Sequence, residues 1–436
     1  MKQYLKKIPK EIRGLINKIR DIAAKRNTPA YLVGGLVRDL ILGVKNLDLD
    51  IVIEGDGIGL AQDFAGSLGV KITVHRQFGT ATVFVRPGLK VDFSSSRQED
   101  YPCPAHLPLV KGGSLRDDLN RRDFTLNAMA ISLKDGRLVD YFGGRNDLRH
   151  KVIRVLHPLS FMDDPTRIFR AVRFEQRYNF KIEPESLKLL KQAVRLKMLE
   201  RIHPHRTRDD LILILKEKNP VKEIRRIEKL AGFDFISTQL KITPKTYAFL
   251  KAIKREIGYF HKNYSARRPL DTWVIYLMGL LEALDAKKIK KICAKFGLRK
   301  GEAKRLLSYK RSQSRLLREL SGASIAPARI FGLLEPLSYE TILALRAKYN
   351  NPLFKRNSTD FLDIYNGMRI SVSGKDLAGL GVLPGPRYQK IFTQVLKAKL
   401  NGQVRNKEEE LALIKQLLSK SHAYPDRPSG RRQAGS

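Results

Sequence analysis

The sequence predicts an α+β fold in which an N-terminal mixed β-sheet region is followed by an all-helical remainder. Two observations support this prediction. In the first third of the chain, short runs rich in Val, Ile, Thr and Phe are separated by turn residues and by amphipathic helical segments. Beyond about residue 220, successive segments carry apolar residues at three- and four-residue spacing and end at Gly or Pro. With 436 residues, the chain is long enough for two or more domains with hydrophobic cores.

The N-terminal third is predicted to contain helices, strands and one long loop. Apolar residues recur at helical spacing from Ile8 to Ile22, and the Gly- and Pro-rich stretch 98–116 has no period. The predicted elements are, in order, a helical pattern over residues 1 to about 30, the segment 31–54 that ends in the strand LDLDIVI, a helix at 59–69, strands at 70–85 and 89–93 separated by the turn 86–88, a loop at 98–116, and a strand and turn region at 136–161.

The charge of the chain indicates a polyanionic partner. There are 83 Lys and Arg residues against 44 Asp and Glu residues, which gives a formal net charge of +39. This excess is distributed along the folded part of the chain instead of forming one basic tail, so we expect nucleic acid as the partner. The alternative is a proteome in which proteins are basic in general.

The sequence indicates a cytoplasmic protein without a membrane partner. The longest apolar run, at 273–284, contains Glu282 and is followed by Asp285, so it falls short of the ~20 residues of a membrane helix. The first residues are basic but lack the apolar core of a signal peptide. The two cysteines, Cys103 and Cys293, are too few for a disulfide framework or a zinc site. No protein partner can be inferred.

Residues 31–54 combine the features of a site for a metal ion and phosphates. Asp48 and Asp50 stand two apart in the alternating sequence LDLDIVI, so a strand would direct both carboxylates to one face. Neighbouring carboxylates repel each other unless a cation lies between them, and hard oxygen ligands suit Mg²⁺. The preceding double glycine lets a ligand approach the backbone, and Arg38 can hold phosphate oxygens. An ordinary turn and a solvated strand face are the alternatives for each motif taken alone.

GGLVRD followed by DLD resembles the signature of the DNA polymerase β-like nucleotidyltransferase superfamily, in its class II branch of CCA-adding enzymes and bacterial poly(A) polymerases. The string RRDFTLNAMA at 121–130 resembles the next motif of that family and follows in the same order. The resemblance implies that Asp48 and Asp50 are catalytic and hold two Mg²⁺ ions about 4 Å apart. It assigns the remaining contacts as follows: triphosphate to Gly34, Gly35, Arg38, Asp39, Arg121 and Arg122, and ribose to Asp123 and Asn127, which are one turn apart if this segment is helical.

Asp92 lies at the end of the predicted strand 89–93 and is a candidate for a further metal ligand. The resemblance supports this role, because polymerases of the superfamily often bring an additional carboxylate to the metals from a neighbouring strand. The alternative is an Asp that closes a strand and bonds its turn. Arg97 would then bind phosphate or hold the following loop, which in class II enzymes corresponds to a flexible loop implicated in adding the final A.

The string DDPTRIFRAVR at 163–173 resembles the family's base-selecting element, with Asp163 standing where most members have Glu. Asp164 before Pro165 is also a helix-start signal, so this carboxylate caps a helix, reads a base, or does both. A carboxylate accepts from the exocyclic amine of cytosine or adenine, and the Arg167 guanidinium donates to an unprotonated ring nitrogen. Uracil and guanine present a carbonyl oxygen instead of that amine. The resemblance therefore implies that Asp164 and Arg167 select C and A without a template, with Asp163 in a supporting position.

Four further arginines are predicted to contact phosphate or RNA. Arg170 and Arg173 continue the three-residue spacing from Arg167, while Arg206 and Arg208 lie in LERIHPHRTRDDLILIL, which resembles the family's following motif. The histidines of that segment flank a proline and have no recognised ligand geometry, so we do not predict a metal site there.

The resemblance implies a template-independent tRNA nucleotidyltransferase that adds C, A or both from CTP and ATP to the tRNA 3′ end and releases pyrophosphate. Its expected partners are tRNA, ATP and CTP, and its expected cofactor is Mg²⁺. The alternatives are an A-adding or CC-adding specialist, a poly(A) polymerase, whose GRRF-like insert is absent after the DLD strand, and a catalytically silent RNA-binding protein. The expected domains are a catalytic head at 1–148, a helical neck at 149–220, a helical body at 221–320, a tRNA-binding helical tail at 321–420 and a disordered segment at 421–436.

Overall fold

The computed structural model describes residues 8–44 and 48–422, with the side chains of 420–422 left aside. The chain forms two compact units, one containing residues up to 241 with 295–297 and the other containing 242–294 with the residues from 298 onwards. Disorder is predicted for residues 421–436. Of these, residues 423–436 lie outside the described part of the chain. The predicted boundaries at 148, 220 and 320 stay predictions.

The first unit is built around a seven-stranded mixed sheet with the strand order β3-β4-β5-β2-β1-β8-β9. All neighbouring strands are antiparallel except β2 and β5, which run parallel. The strands of this sheet are β1 Ala30–Val33, β2 Leu49–Ile53, β3 Ile72–His75, β4 Thr80–Arg86, β5 Leu89–Ser95, β8 Ala130–Ser132 and β9 Leu138–Val139. Two two-stranded sheets accompany it, formed by β6 Arg97–Asp100 with β7 Leu109–Gly112 and by β10 Val152–Ile153 with β11 Lys181–Ile182.

The helices of the first unit pack around this sheet and continue beyond it. In the first helix, Ile12, Ile16 and Ile19 are buried, because their spacing places them on one face. The helices of this unit are α1 Lys10–Lys25, α2 Gly35–Leu42, α3 Gly57–Leu68, α4 Leu115–Asn120, α5 Gly144–His150, α6 Ser160–Asp163, α7 Arg167–Tyr178, α8 Pro184–Arg195, α9 Met198–Arg201, α10 Pro204–Leu215 and α11 Pro220–Ala231.

Three local predictions in this unit are wrong. The segment 70–85 is two strands instead of one, because a 3₁₀ turn at Arg76–Phe78 ends at Gly79 with φ +60° and reverses the chain. The predicted loop 98–116 contains β6 and β7, whose residues are largely exposed and therefore lack a hydrophobic alternation. The predicted strand and turn region 136–161 contains the helix α5, which is polar and begins after a left-handed glycine, Gly143.

The second unit is helical, as predicted. Its helix from Thr272 is buried all round, which explains why its sequence is apolar without a period. Its helices are α12 Pro244–Asn263, α13 Thr272–Leu280, α14 Ala286–Lys295, α15 Lys300–Leu320, α16 Pro327–Leu334, α17 Tyr339–Lys348, α18 Pro352–Asp363, α19 Gly374–Gly379, α20 Pro386–Leu400 and α21 Lys407–His422. Within the described ranges, no helix is long and apolar enough to cross a membrane. The predicted α+β class is confirmed.

Candidate active site

A cavity of about 520 Å³ in the first unit brings most of the predicted site residues together. They come from segments distant in the chain: the start of α2, the start of β2, the turn after α4 and the first turns of α7. The predicted residues that line the cavity are Gly34, Gly35, Arg38, Asp39, Asp48, Asp50, Arg121, Arg122, Asp123, Asn127, Asp164, Arg167, Arg170 and Arg173. Four predicted residues, Asp92, Asp163, Arg206 and Arg208, are not among the lining residues.

The two predicted catalytic carboxylates lie at the start of β2. Asp48 is exposed just before the strand, and Asp50 is partly buried within it. Burial raises the pKa of Asp50 to about 6, with Asp92 and Asp48 adding to the shift and Arg122 opposing it. Charging this carboxyl is therefore costly until a cation approaches it.

Gly34 brings the backbone against these charged groups. Its φ of +71° lies in the left-handed region, and a Cβ there would stand 3.1 Å from Arg122 Nη1 and 3.4 Å from Asp50 Oδ2. Both the conformation and the space therefore require glycine. The Nε of Arg122 is buried and has no hydrogen-bond acceptor among the residues described, which leaves a donor for a ligand at this point.

Arg38 is fixed in the cavity wall by three groups. Its Nε and Nη2 donate to the two carboxylate oxygens of Asp39, at 2.8 and 2.9 Å, and its Nη1 donates to Asn127 Oδ1 at 2.7 Å. The guanidinium also stacks on the rings of Phe174 and Tyr178, 5.1 and 5.0 Å from their centroids. Arg38 and Asp39 are both buried. This pair therefore shapes the wall of the cavity and also places charged groups in it.

Arg121 and Arg122 share one carboxylate that the sequence analysis did not select. Asp118 is fully buried and accepts from Arg121 through Oδ1, at 2.6 and 2.9 Å, and from Arg122 through Oδ2 at 2.9 Å. Arg121 also donates to Glu99 Oε1 on β6, at 3.0 Å. Because the buried carboxylate of Asp118 binds both guanidinium groups, their positions are fixed before any ligand binds.

Asp123 is the buried centre of a second cluster. Its Oδ2 accepts from Arg170 Nε at 2.7 Å and lies 2.6 Å from Arg170 Nη2, and its Oδ1 accepts from Asn127 Nδ2 at 2.8 Å. Burial alone raises the pKa of Asp123, but Arg170 and the bond from Asn127 outweigh it and hold that pKa below the ordinary value. The segment 121–127 is not a continuous helix, because α4 ends at Asn120 and a 3₁₀ turn covers Thr125–Asn127, but Asp123 and Asn127 are still in contact.

Asp164 and Arg167 flank the start of α7. The helix begins at Arg167 with Thr166 as its N-cap, so the predicted start at Asp164 is two residues early. Asp164 Oδ1 nevertheless accepts from the backbone N–H and the hydroxyl of Thr166, at 3.1 and 2.7 Å, and forms an ion pair with Arg206 Nη2 at 2.8 Å. No described residue donates to its Oδ2. Arg167 is buried and donates to Ser160 Oγ and to the carbonyl of Arg121, at 2.6 and 2.7 Å.

The remaining predicted residues have mainly internal contacts. Asp163 Oδ2 lies 3.8 Å from His157 Nδ1, and burial raises the pKa of Asp163. Arg208 donates to Asp209 and to the carbonyls of Phe296 and Gly297. The Nε of Arg173 has no hydrogen-bond acceptor in the described part of the chain, although Glu217 Oε1 is 3.6 Å away.

Comparisons with known proteins agree with this geometry. Residues 30–154 match the family model of the poly A polymerase head domain. Over 423 residues the chain is 31% identical to an A-adding tRNA nucleotidyltransferase of Halalkalibacterium halodurans, covering 94% of this chain and 93% of that relative. This chain belongs to the tRNA nucleotidyltransferase family. A second A-adding tRNA nucleotidyltransferase, from Geobacter sulfurreducens, is 35% identical over 418 residues, and the chain spans only 47% of its length.

Solved structures of tRNA nucleotidyltransferases share the fold along most of the chain. A CCA-adding enzyme in apo form matches with a TM-score of 0.77 and 35% identity, covering 96% of this chain and 98% of the other. The Thermotoga maritima CCA-adding enzyme complexed with tRNA_CCA matches with a TM-score of 0.72, at 35% identity and with the same coverage of both chains.

The cavity also contains residues that sequence reasoning missed. They are Glu99, Tyr101, Thr166, Phe174, Arg177 and Asp210. Asp210 is partly buried, and burial raises its pKa to about 6 while Arg170 opposes the shift and Asp164 adds to it. Arg177 continues the spacing of Arg167, Arg170 and Arg173 by one further helical turn, which was an available signal. Glu99 and Tyr101 gave none, because they lie in the unrecognised hairpin.

Proposed function

We propose that the chain transfers a nucleotidyl group from ATP, CTP or both to the 3′ end of tRNA and releases pyrophosphate. The observation that carries this proposal is one cavity that contains a carboxylate pair, several arginines and a carboxylate–guanidinium pair at a helix start. Such a cavity can hold a metal-bound triphosphate and read a base with protein groups alone. The proposed assignments are those given above for the predicted site residues.

Nucleotidyl transfer in this family depends in general on a divalent metal ion, and we propose Mg²⁺ held by Asp48 and Asp50. The residues fit such an ion, because Asp50 is partly buried next to two further carboxylates that raise its pKa. When bound, Mg²⁺ lowers the pKa of the attacking 3′-hydroxyl and neutralises charge on the leaving pyrophosphate. Asp48 and Asp50 are proposed to keep the 3′-hydroxyl and the pyrophosphate on one side of β2. Gly34 lets the phosphates approach the backbone.

The triphosphate is proposed to bind where two guanidinium groups have spare donors. Arg122 and Arg173 each have a buried Nε without a hydrogen-bond acceptor among the described residues, and an unpaired buried donor is costly unless a ligand satisfies it. Arg38 and Arg121 add positive charge from fixed positions. Asp123 and Asn127, which are hydrogen-bonded to each other, are proposed to bind the ribose.

Base selection is proposed to use Asp164 Oδ2 and Arg167. Because the contacts with Thr166 and Arg206 all use Oδ1, the second oxygen can accept from the exocyclic amine of adenine or cytosine. A carbonyl oxygen of guanine or uracil at the same position would meet an acceptor. Oδ2 of this partly buried carboxylate would then lack a donor, which is the basis for rejecting those bases.

The second unit is proposed to bind tRNA through its phosphates. One face of α15 presents Lys304, Arg311 and Arg315 along a concave surface with a volume of about 540 Å³. Such a basic surface binds RNA through phosphates with little dependence on sequence. We place the activity in the cytoplasm, because the free Cys103 and Cys293 suit a reducing compartment.

A-addition alone is the second candidate function, and the names of two relatives favour it. The relatives from Geobacter sulfurreducens and Halalkalibacterium halodurans are both called A-adding. A relative from Deinococcus radiodurans, at 29% identity over 400 residues, is called CC-adding.

Three tRNA transcripts test these candidates, one ending at the discriminator base, one after a single C and one after CC. Each is incubated with one labelled nucleotide and Mg²⁺. C on the first two and A on the third establish full CCA addition, whereas A on the third alone establishes an A-adding specialist. C without A indicates a CC-adding enzyme, and a long A tract indicates a poly(A) polymerase. Failure to incorporate any nucleotide would contradict the proposed activity and leave an RNA-binding protein.

A further inference from the structure

Asp92 and its neighbours form a row of polar groups on the sheet face that carries Asp50. In the parallel pair of β2 and β5, Asp50 stands directly opposite Asp92, so the two side chains share a face. In the antiparallel pair of β4 and β5, Thr82 stands directly opposite Asp92. Lys90 lies two residues before Asp92 on the same strand and therefore projects to the same side.

Both oxygens of Asp92 are engaged by its own sheet. Thr82 Oγ1 donates to Oδ1 at 2.6 Å, and Lys90 Nζ donates to Oδ2 at 2.5 Å. A metal ligand needs a carboxylate oxygen that is directed to the ion, whereas Asp92 is drawn away from the cavity by a hydroxyl and an ammonium group. This arrangement agrees with the absence of Asp92 from the cavity lining.

The ammonium group of Lys90 also acts on the two predicted catalytic carboxylates. Its charge interacts favourably with Asp48 and Asp50 as well as with Asp92. Lys90 therefore supplies a monovalent cation to a carboxylate cluster that would otherwise have three negative charges. Metal affinity rises with the number of charged ligands, so a third available carboxylate would tighten metal binding in the absence of nucleotide.

We propose that Lys90 is a positioning residue that keeps Asp92 out of the metal's coordination shell, so that only Asp48 and Asp50 bind the ion from the protein. The metal then needs the phosphates of the nucleotide for tight binding, which is the usual arrangement for Mg²⁺ at one or two carboxylates. Metal and nucleoside triphosphate would arrive together, and once the nucleotidyl group is joined to the 3′-hydroxyl the metal would leave with pyrophosphate. This inference rests on the proposed function, because it concerns the metal site of that reaction.

Metal binding to the full chain without nucleotide tests the proposal directly. Mn²⁺ serves as the probe, and free Mn²⁺ is measured by electron paramagnetic resonance for the wild type and for Lys90→Met, Asp92→Asn and the double variant. We expect Lys90→Met to bind Mn²⁺ about tenfold more tightly, because Asp92 becomes a ligand. The double variant should lose this gain, and Asp92→Asn alone should bind like the wild type. Lys134→Met removes an exposed lysine elsewhere in the first unit and should change nothing.

Two results would overturn the inference. If Lys90→Met does not tighten Mn²⁺ binding, Lys90 does not prevent Asp92 from coordinating the metal. If the gain persists unchanged in the double variant, it comes from the lost positive charge and not from a new ligand. Thermal unfolding checks that the variants are folded, and Lys90→Gln, which keeps a polar side chain, replaces Lys90→Met if that variant is unfolded.

A separate measurement distinguishes this failure from failure of the proposed function. Mn²⁺ binding in the presence of ATP is compared between the wild type and Asp50→Asn. If Asp50→Asn leaves this binding unchanged, the metal site of the proposed function is wrong, and the inference falls with it. If Asp50→Asn abolishes it while Lys90→Met has no effect, only the inference about Lys90 is overturned.

Discussion

Arg206 Nη2 lies 2.8 Å from Oδ1 of Asp164. The same oxygen accepts two hydrogen bonds from Thr166, so one half of the carboxylate is used entirely to hold the side chain in place. Arg206 was predicted to contact phosphate or RNA, and its contact with Asp164 gives it a different role in the structure. The orientation of the proposed base-selecting carboxylate therefore depends in part on Arg206, which is not among the residues that line the cavity.

Replacing Asp164 with Ala should reduce discrimination between nucleotides. The variant loses the only carboxylate proposed to accept from the amine of adenine or cytosine, so the preference for ATP over GTP should fall by at least about tenfold. The measurement is kcat/KM for each nucleotide on a CC-ended tRNA transcript. Asp209→Asn, a nearby exposed carboxylate paired with Arg208, is the control and should keep the preference. An unchanged ratio in Asp164→Ala would refute the base-selecting role.

Gly34→Ala and Gly43→Ala separate backbone strain from crowding of the site. Both glycines have φ +71°, but a Cβ at Gly43 has no atom within 4 Å, whereas one at Gly34 meets Arg122 and Asp50. Gly43→Ala should lose about 1 kcal/mol of unfolding free energy, and Gly34→Ala should lose more, because Gly34 has ψ −138° and lies outside the left-handed helical region that Gly43 occupies with ψ 20°. Only Gly34→Ala should also lower nucleotide incorporation, by about tenfold or more. Equal activity losses would show that strain alone is responsible.

Asp118→Asn should release the two arginines that precede Asp123. Removing a buried charge that pairs with Arg121 and Arg122 should cost about 3 kcal/mol of unfolding free energy. The KM for ATP should rise as well, because the guanidinium groups lose their fixed positions. Asp117→Asn is a control on the same helix, since Asp117 is only partly buried and bonds Ser114 in the capping box instead of the two arginines. If Asp118→Asn leaves KM unchanged, the arginines do not need this support.

Asp50→Asn should stabilise the metal-free protein while abolishing incorporation. The folded pKa of about 6 lies above the ordinary 3.8, so the folded protein binds the proton more tightly than the unfolded chain does. The stabilising effect of protonation is present at low pH and is lost as pH rises through about 6. Asn removes this penalty, which is on the order of 3 kcal/mol at pH 7.5 and smaller at pH 4.5. Thermal unfolding with a chelator at both pH values checks this, and an equal shift at both would contradict it.

Binding of tRNA should weaken steeply as salt is added. If phosphates supply most of the affinity, the logarithm of the association constant falls linearly with the logarithm of the salt concentration. Replacing Lys304, Arg311 and Arg315 together with Ala should weaken binding and make that slope shallower by about three units. Filter binding across a salt series provides the measurement. A flat dependence in the wild type would contradict recognition through phosphates.

The sequence predicted those parts of the site that lie in short continuous strings. Asp48 and Asp50 could be found because their two-residue spacing has a direct meaning in a strand, and Arg167, Arg170 and Arg173 because theirs has one in a helix. Asp118 could not be selected in the same way, since nothing in the segment LRDDLNRRD tells which acidic residue turns inward. The hairpin of β6 and β7 was missed because the covered face of β6 carries the charged residues Arg97 and Glu99 and β7 is exposed, so neither strand shows a hydrophobic alternation.

The partners that hold the site together are far apart along the chain. Arg38 bonds Asn127 across 89 positions, and Arg170 bonds Asp123 across 47. A chimaera of two relatives that joins one parent to the other between positions 38 and 127 would separate the first pair, and a junction between 123 and 170 would separate the second. A junction between 164 and 206 would likewise separate Asp164 from Arg206. Recombination within this part of the chain is therefore constrained far more than the distances between the motifs suggest.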